Sequence, residues 1–406
     1  MSKVVVLGGC GAVGSVAVRT LAMQNAFTQV VIGDMNERRA VEIAAQVGNG
    51  KVSYRPVDAG DQASVASVIA DADIVLNCVG PFYKTVKTVL AAVLAAKKPY
   101  VDICDDVDVT LDILKRDAEA KKAGITAVIG MGASPGATNP RKYIADNQLD
   151  ETDSIDIYHC HGGEPFEGPG VIGHRFHCMS IDIPMFLDGE LKYVKYFEPD
   201  GIALREDFDF PNLGSVPVFP YPHPEQVTMP RFLKVRQVTN KGSVIPIEYY
   251  NLTGEMCRLG LSSREPLDVG GKPVVPYDFA VAYLIRERER ILRETSFGTQ
   301  RGCMTVVVKG RKSGEAVEVR VHMFSGSSAL GEGTGVPAAI GVMLLADGKI
   351  PTKGVLPPEG CIDPNDFLAV AMPVMMARAG GKAEKREASI VFETIKADGS
   401  VSRMEL

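Results

Sequence analysis

The stretch VVVLGGCGAVGSVAVRTLAMQNAFTQVVIGD, residues 4–34, decides the fold. Val4 to Leu7 is apolar without alternation, as a strand buried on both faces requires. Gly9-x-Gly11-x-x-Gly14 follows at once and opens a helix-length segment, and a second β-branched run closes on Asp34. Strand, glycine turn and helix in that order give the pattern its meaning as a dinucleotide site. Gly9 permits the tight turn, Gly11 lets the backbone approach a pyrophosphate, and Gly14 allows close helix-to-strand packing, while the helix N-terminus offers amides to the anion. Asp34 stands twenty residues beyond Gly14. A carboxylate there accepts from a ribose 2′-hydroxyl and repels a 2′-phosphate, so the expected cofactor is NAD rather than NADP. Arg38 and Arg39 offer the competing reading of a phosphate bridge, but as first-turn charges they fit a solvated helix face more simply.

Outward from this stretch the alternation continues. RRAVEIAAQV, VSYRPVDA, SVASVIADA, DIVLNCVG, TVLAAVLAA, PYVDICDD, LKRDAEAKKAG and TAVIGMG carry helix and strand in turn to about residue 132. Repeated βα units of this kind form a parallel sheet with helices on both faces. The texture then changes to SIDIYHCH, CMTVVVKG and AVEVRVHMFSG, alternating and antiparallel in character, with Pro- and Gly-rich connections. The expected architecture is α/β, a Rossmann-type doubly wound parallel sheet in 1–132 completed by 334–406, with a second α+β substrate and dimerisation domain in 133–333. Near Thr334 the run GTGVPAAIGVMLLADG reads as a helix folding back onto the first domain, and SIVFETIKADGSVSRMEL as a closing hairpin.

Composition narrows the function. Of 406 residues, 46% are hydrophobic and 23% charged, a globular mix that excludes a disordered chain, collagen or a coiled coil. The net charge is −6 and no Lys/Arg block occurs, so nucleic acid and anionic membrane lack their basic footprint and a small-molecule partner is expected. Eight cysteines are scattered without a C-x-x-C pair, as in a reduced, cytoplasmic protein. Strand-like sequence begins at Lys3, so no secretory leader is expected, and the apolar runs Val89–Ala96 and Ala338–Ala346 fall short of the ~20 residues of a bilayer span. The strands CMTVVVKG and VEVRVHMF have edges that need pairing, from which a homodimer or larger homo-oligomer is expected.

Several side chains are candidates for chemistry. Asn77-Cys78-Val79-Gly80-Pro81 and Asp102-Ile103-Cys104-Asp105-Asp106 each end a strand at the carboxyl edge, where ligands sit in open α/β sheets. His159, His161, His174 and His177 cluster with Cys160 and Cys178, the side chains zinc prefers. His159 and His161 share one strand face and Cys160 takes the other, and the spacing matches no zinc knuckle, so the polar wall of a cleft is expected and no metal.

In order and spacing, the blocks GGCGAVG, Asp34, PVDAGD, DIVLNCVGPFY, PYVDICDD, GMGASPGATN, a strand ending in HGGEP, GTGVPAAIGVMLLADGKI and KGVLPPE resemble the saccharopine dehydrogenase and lysine 6-dehydrogenase-like family. The resemblance spans nearly the whole chain. It implies an oxidoreductase of lysine metabolism that transfers hydride at the CH–NH or CH–NH2 carbon of a lysine- or saccharopine-like amino acid. By position it implies that Gly9, Gly11, Ala12, Val13 and Gly14 hold the pyrophosphate, Asp34 the ribose, Asp58 and Ala59 the adenine side, and Asn77, Cys78, Val79 and Gly80 the nicotinamide ribose. Pro81, Ser134, Pro135, Gly136, Asn139 and His223 would border the substrate. Arg175, Arg231 and Arg236 are the bidentate partners available to a substrate carboxylate. Asp102, Asp105 and His161 are candidates for the base that takes the amine proton, Asp102 foremost because a rigid sheet fixes it. Two departures leave the substrate open: YPHPEQVT (221–228) replaces a Gly-rich tip, and the acidic cluster after Asp102 lacks a Gly-Glu ending. An NADPH-dependent opine-type reductive condensation and a non-catalytic NAD sensor are the alternatives; a sensor can dispense with Asp102, Asp105 and His161.

Overall fold

A computed structural model describes residues 2–137, 149–164, 167–295, 297–298, 300–325, 329–378 and 390–405. The chain forms two compact units, Met1–Asn147 with His223–Phe232 and Leu330–Arg386, and Gln148–Pro222 with Leu233–Ala329 and Glu387–Leu406.

The first unit runs β1 (Ser2–Leu7), α1 (Ala12–Ala22), β2 (Phe27–Asp34), α2 (Glu37–Val47), β3 (Val52–Pro56), α3 (Gln62–Ile69), β4 (Ile74–Asn77), α4 (Phe82–Ala96), β5 (Tyr100–Asp102), α5 (Val107–Leu114), α6 (Asp117–Ala123) and β6 (Thr126–Val128). Its parallel sheet has the order β6-β5-β4-β1-β2-β3, extended beyond β6 by Gly354–Leu356. The chain winds outward from β1 to β3, then returns to β4 on the other side of β1, which creates the crevice of a doubly wound sheet at the β1/β4 carboxyl ends. Val4 to Leu7 are wholly buried, as are Val75 and Leu76 beside them; each such side chain contributes about 1.5–3 kcal/mol on burial. Local signals agree with the elements: the Asn36 side chain accepts from the Arg39 N–H at 3.0 Å to start α2, and Gly48 at φ 68° ends it.

The helix Ala329–Ala346 packs against α1 through its glycines. A Cβ on Gly335 would lie 2.7 Å from the Val13 carbonyl oxygen, and one on Gly331 3.0 Å from that of Ala12. Three stretches depart from the expected boundaries. Residues 133–137 and His223–Phe232 count with the first unit. The closing hairpin, Ile390–Lys396 paired with Val401–Glu405, counts with the second, because Ile390–Lys396 pairs antiparallel with Glu315–Ser325.

The second unit is built on a mixed sheet in which β7 (Glu151–Gly162) lies between Gln237–Ile245 and Arg301–Lys312. The pairing of β7 with Gln237–Ile245 is parallel, against the expected antiparallel character. A long connection, including the helix Pro169–Ser180, separates the two strands and supplies the crossover that parallel pairing needs. Three helices, Pro169–Ser180, Ile247–Arg258 and Pro276–Glu294, share a core of Ile172, Phe176, Tyr249, Tyr250 and Leu284. The strands whose edges suggested self-association are interior: Arg301–Lys312 is flanked by β7 and Glu315–Ser325, and Glu315–Ser325 by Ile390–Lys396. That ground for a homo-oligomer is therefore removed. Among the described residues no helix is long and apolar enough to cross a membrane.

Candidate active site

The nucleotide cradle lies at the start of α1. The left-handed turn falls on Gly8, at φ 73°, where a Cβ would stand 2.8 Å from the Cys78 carbonyl oxygen. Gly9, expected to carry that turn, is instead pressed against Ile32 and Val18. Gly14 holds helix to strand, since a Cβ there would come within 2.2 Å of the Gly8 carbonyl oxygen. Gly11 is different: it is exposed, its Cβ position meets only the Gly8 oxygen at 3.4 Å, and it caps α1 without a side-chain bond. Gly11 N–H donates to the Gly8 carbonyl at 3.1 Å, so the opening amides presented to an anion are those of Ala12 and Val13, beside open backbone at Gly11. Asp34 is fixed beside them, its two carboxylate oxygens accepting the N–H groups of Cys10 and Asn36 at 3.0 Å each. Burial, with the Asp34 charge, pushes the Cys10 thiol up to about 12, so no thiolate opposes a phosphate there. This donor set fits a dinucleotide. Asp58 is exposed, with Oδ1 accepting from Gly60 N–H at 2.8 Å, and Ala59 is buried.

Toward the β4 to β6 edge, Asn77 is wholly buried; its Oδ1 accepts from Val79 N–H at 3.0 Å and its Nδ2 donates to the Tyr100 hydroxyl at 3.1 Å. It shapes the turn, while Cys78, Val79 and Pro81 are half-buried and Gly80 is exposed. Asp102 is 0% exposed. Its Oδ1 accepts from the N–H groups of Cys104 at 3.0 Å and Gly130 at 2.8 Å, and its carbonyl from Met131 at 2.6 Å. Burial raises its pKa to about 6, against the pull of those amides and of the Tyr100 hydroxyl. Buried as it stands, the Asp102 carboxylate ties the loop Gly130–Gly136 to the end of β5. Asp105 is half-buried, and Asp106 accepts from Tyr83 N–H at 2.9 Å.

The loop held by Asp102 is folded upon itself: Gly132 N–H donates to the Pro135 carbonyl and Ala137 N–H to that of Gly132, both at 2.9 Å. Gly136, at φ 117°, has no room for a side chain, because a Cβ would meet Gly132 oxygen at 2.3 Å. Ser134 from this loop donates its hydroxyl to Glu225 Oε1, and Glu225 Oε2 lies 2.6 Å from His223 Nδ1. Two expected substrate residues, Ser134 and His223, are thus joined by Glu225, a buried carboxylate that sequence reasoning passed over inside YPHPEQVT. Its signal was His-x-Glu at the start of the short helix Glu225–Thr228. Asn139 lies outside the described residues.

Within the second unit, His161 pairs through Nδ1 with Glu164 at 2.7 Å. Burial would raise Glu164, but the His161 bond and charge, with Arg288, hold it down at about 2. Arg175 is buried and bonded to Glu167, whose other oxygen faces Arg288 Nε at 3.0 Å. Arg175 is thus engaged through one guanidinium nitrogen by an internal carboxylate, whereas Arg231 and Arg236 are exposed. His174 and Cys178 meet at 3.4 Å one turn apart on their helix, and His159 stands edge-on to Tyr221 at 4.9 Å.

Residues 4–128 match the family model described as the saccharopine dehydrogenase NADP binding domain, and residues 188–377 the one described as the saccharopine dehydrogenase C-terminal domain. The chain is 26% identical over 395 residues to a carboxyaminopropylagmatine dehydrogenase of Synechocystis sp., covering 91% of this chain and 95% of that protein. It is 25% identical over 354 residues to a carboxynorspermidine synthase of Vibrio alginolyticus, covering 78% and 80% respectively. Its fold is similar to apo saccharopine dehydrogenase (L-Glu forming) from Saccharomyces cerevisiae, with a TM-score of 0.65 at 16% identity, over 94% of this chain and 98% of that one. With a nucleotide cradle suited to a nicotinamide dinucleotide, the chain belongs to the saccharopine dehydrogenase family of oxidoreductases.

Proposed function

We propose that this protein transfers hydride at the amine-bearing carbon of a carboxylated amine, with NAD as its cofactor. The observation that carries the reading is the Ser134, Glu225 and His223 group, held in the same unit as the dinucleotide cradle. A buried carboxylate–imidazole pair in that unit supports a reading in which protons are moved as well as dinucleotide bound. A bound nicotinamide supplies the hydride acceptor or donor; the chain's own residues bind, orient and move protons. Ala12 and Val13 would hold the pyrophosphate through backbone amides, Gly11 would leave room for its approach, and Asp34 would hold the ribose diol. The lysine- or saccharopine-like amino acid widens to include carboxylated polyamines, which the names of the relatives from Synechocystis sp. and Vibrio alginolyticus favour.

The choice of NAD is supported by the Asp34 carboxylate, whose charge opposes a 2′-phosphate. NADP is the second reading, favoured by the description of the matched family model. Its phosphate would then fall to Arg38, whose side chain is 91% exposed, and Arg39, which pairs with Glu42 at 3.0 Å.

Purified protein should be offered lysine, saccharopine and carboxynorspermidine with NAD or NADP while the absorbance of reduced nicotinamide is followed. Turnover of at least one amine is expected. Tight dinucleotide binding without turnover of any of them would replace the reading by a sensor.

A further inference from the structure

We propose that Cys160 and Cys303 form a redox modification site, closed by peroxide into a disulfide across two neighbouring strands and reopened by a thiol. The proposal is independent of the amine reading above. Cys160 on β7 and Cys303 on Arg301–Lys312 are direct register partners in an antiparallel pair, so their side chains leave the sheet on the same face. The Cα atoms of such partners stand about 4.5–5.5 Å apart, inside the span of about 4.4–6.8 Å that a disulfide bridges. Both are free thiols, buried in one apolar cluster. Each sulfur has a buried hydroxyl beside it: Ser243 Oγ donates to Cys160 Sγ at 3.8 Å, and Thr305 Oγ1 lies 3.7 Å from Cys303 Sγ. The dinucleotide cradle has no part in this pair, which belongs to the second unit.

A hairpin covers the two thiols. Its strands, Glu206–Phe210 and Gly214–Pro220, pair with each other along their length, whereas the ladder to Gln237–Ile245 consists of Phe219 with Gly242 and Pro220 with Lys241. Phe210, Val216 and Val218 pack in the cluster that holds both thiols, and Asn212, at the turn, donates through Nδ2 to the Gly302 carbonyl at 3.3 Å. An edge element held by so short a ladder opens at lower cost than the sheet beneath it. Burial pushes the Cys303 thiol up to about 11 and the Cys160 thiol up to about 12, against the pull of the Thr305 and Ser243 hydroxyls. With the hairpin closed, both sulfurs stay protonated and inert. Opening it admits water and a small oxidant, and Cys303, at 3% exposed against 0% for Cys160, reacts first. Its thiolate attacks a peroxide oxygen: an S–O bond forms, the O–O bond breaks, and hydroxide leaves to become water. Cys160 then attacks the Cys303 sulfur, the S–S bond forms, the S–O bond breaks, and a second water departs. Both sulfurs are oxidised, both peroxide oxygens are reduced, and both thiol protons end in water.

The full chain should be treated with hydrogen peroxide, unfolded in excess iodoacetamide to block every remaining thiol, and its peptides mapped by mass spectrometry without reduction. The expected product is the Cys160 peptide joined to the Cys303 peptide with the loss of two hydrogens, and dithiothreitol should restore both thiols. Cys160→Ser should instead collect sulfenic or sulfinic acid at Cys303, because the thiol that resolves it is gone. Asn212→Ala frees the tip of the hairpin and should speed formation of the disulfide several-fold. Wild-type protein in which Cys160 and Cys303 are both alkylated in full, are bonded to other cysteines, or are oxidised singly would overturn the proposal. An Asn212→Ala rate no greater than that of the wild type would overturn the covering role of the hairpin. Should Cys160→Ser fail to fold, the peptide map of the wild type decides, since it needs no variant.

Discussion

Replacing Asp102 by Asn separates a structural carboxylate from a catalytic one. Asp102 titrates at about 6 in the folded chain against an ordinary 3.8, because burial disfavours its charge. Below about pH 4 it is protonated whether the chain is folded or not. Between about pH 4 and 6 the folded chain holds a proton that the unfolded chain has released, so stability falls as pH rises. Above pH 6 the full penalty remains, about 3 kcal/mol at about 1.4 kcal/mol per tenfold change in proton affinity. Asn cannot ionise, and its amide oxygen can still accept from Cys104 and Gly130. Its NH2 must occupy the place of Oδ2, which has no hydrogen-bond partner of good geometry among the described residues. An unsatisfied buried donor costs about 1–3 kcal/mol, which leaves Asp102→Asn equal to or more stable than the wild type at pH 7 by up to ~2 kcal/mol, and less stable at pH 4. Asp102→Ala carries no such donor but strands two buried amides at about 1–3 kcal/mol each, so at the middle of these ranges it should lie about 2 kcal/mol below Asn. Urea unfolding at pH 4 and pH 7 reads all three proteins. A wild type and an Asp102→Asn variant with the same pH dependence would refute the reasoning. So would a roughly 10²-fold loss of kcat in a well-folded Asp102→Asn, which would return the base to Asp102.

Gly11→Ala should fold normally yet weaken dinucleotide binding at least ~10-fold by blocking close approach to the pyrophosphate, whereas Gly14→Ala, facing the Gly8 oxygen at 2.2 Å, should lower stability itself; titration calorimetry beside thermal melts separates the two. Asp34→Ser should raise NADP affinity relative to NAD, and a wild type that already prefers NADP would show that Arg38 or Arg39 governs the choice. Arg175→Met should cost about 3–5 kcal/mol in urea unfolding by stripping one partner from a buried ion pair with Glu167; unchanged stability with a raised KM would make it a substrate ligand.

The nucleotide half of the fold was legible because each of its signals is local. Strand runs, the glycine spacing and the position of Asp34 are fixed within 31 consecutive residues. What escaped depends on distant partners. The left-handed turn belongs to Gly8 because the Cys78 carbonyl comes close from β4, which the spacing Gly9, Gly11, Gly14 does not encode. Asp102 was placed correctly at a strand end, but whether its side chain turns outward or under Gly130 is decided by β6. The His-x-Glu pattern marked Glu225 locally, but its partner Ser134 lies 91 residues earlier and could not be read from that pattern. The closing hairpin could be seen as a hairpin; its docking on Glu315–Ser325 is non-local pairing.

The central claim is tested most directly by following a labelled hydrogen. An accepted amine carrying deuterium on its amine-bearing carbon should be incubated with the protein and oxidised dinucleotide, and the reduced dinucleotide recovered for mass spectrometry. One deuterium at C4 of the nicotinamide ring, on one face, is the predicted result. Reduced dinucleotide carrying only ordinary hydrogen, or none formed from any amine, would contradict the account.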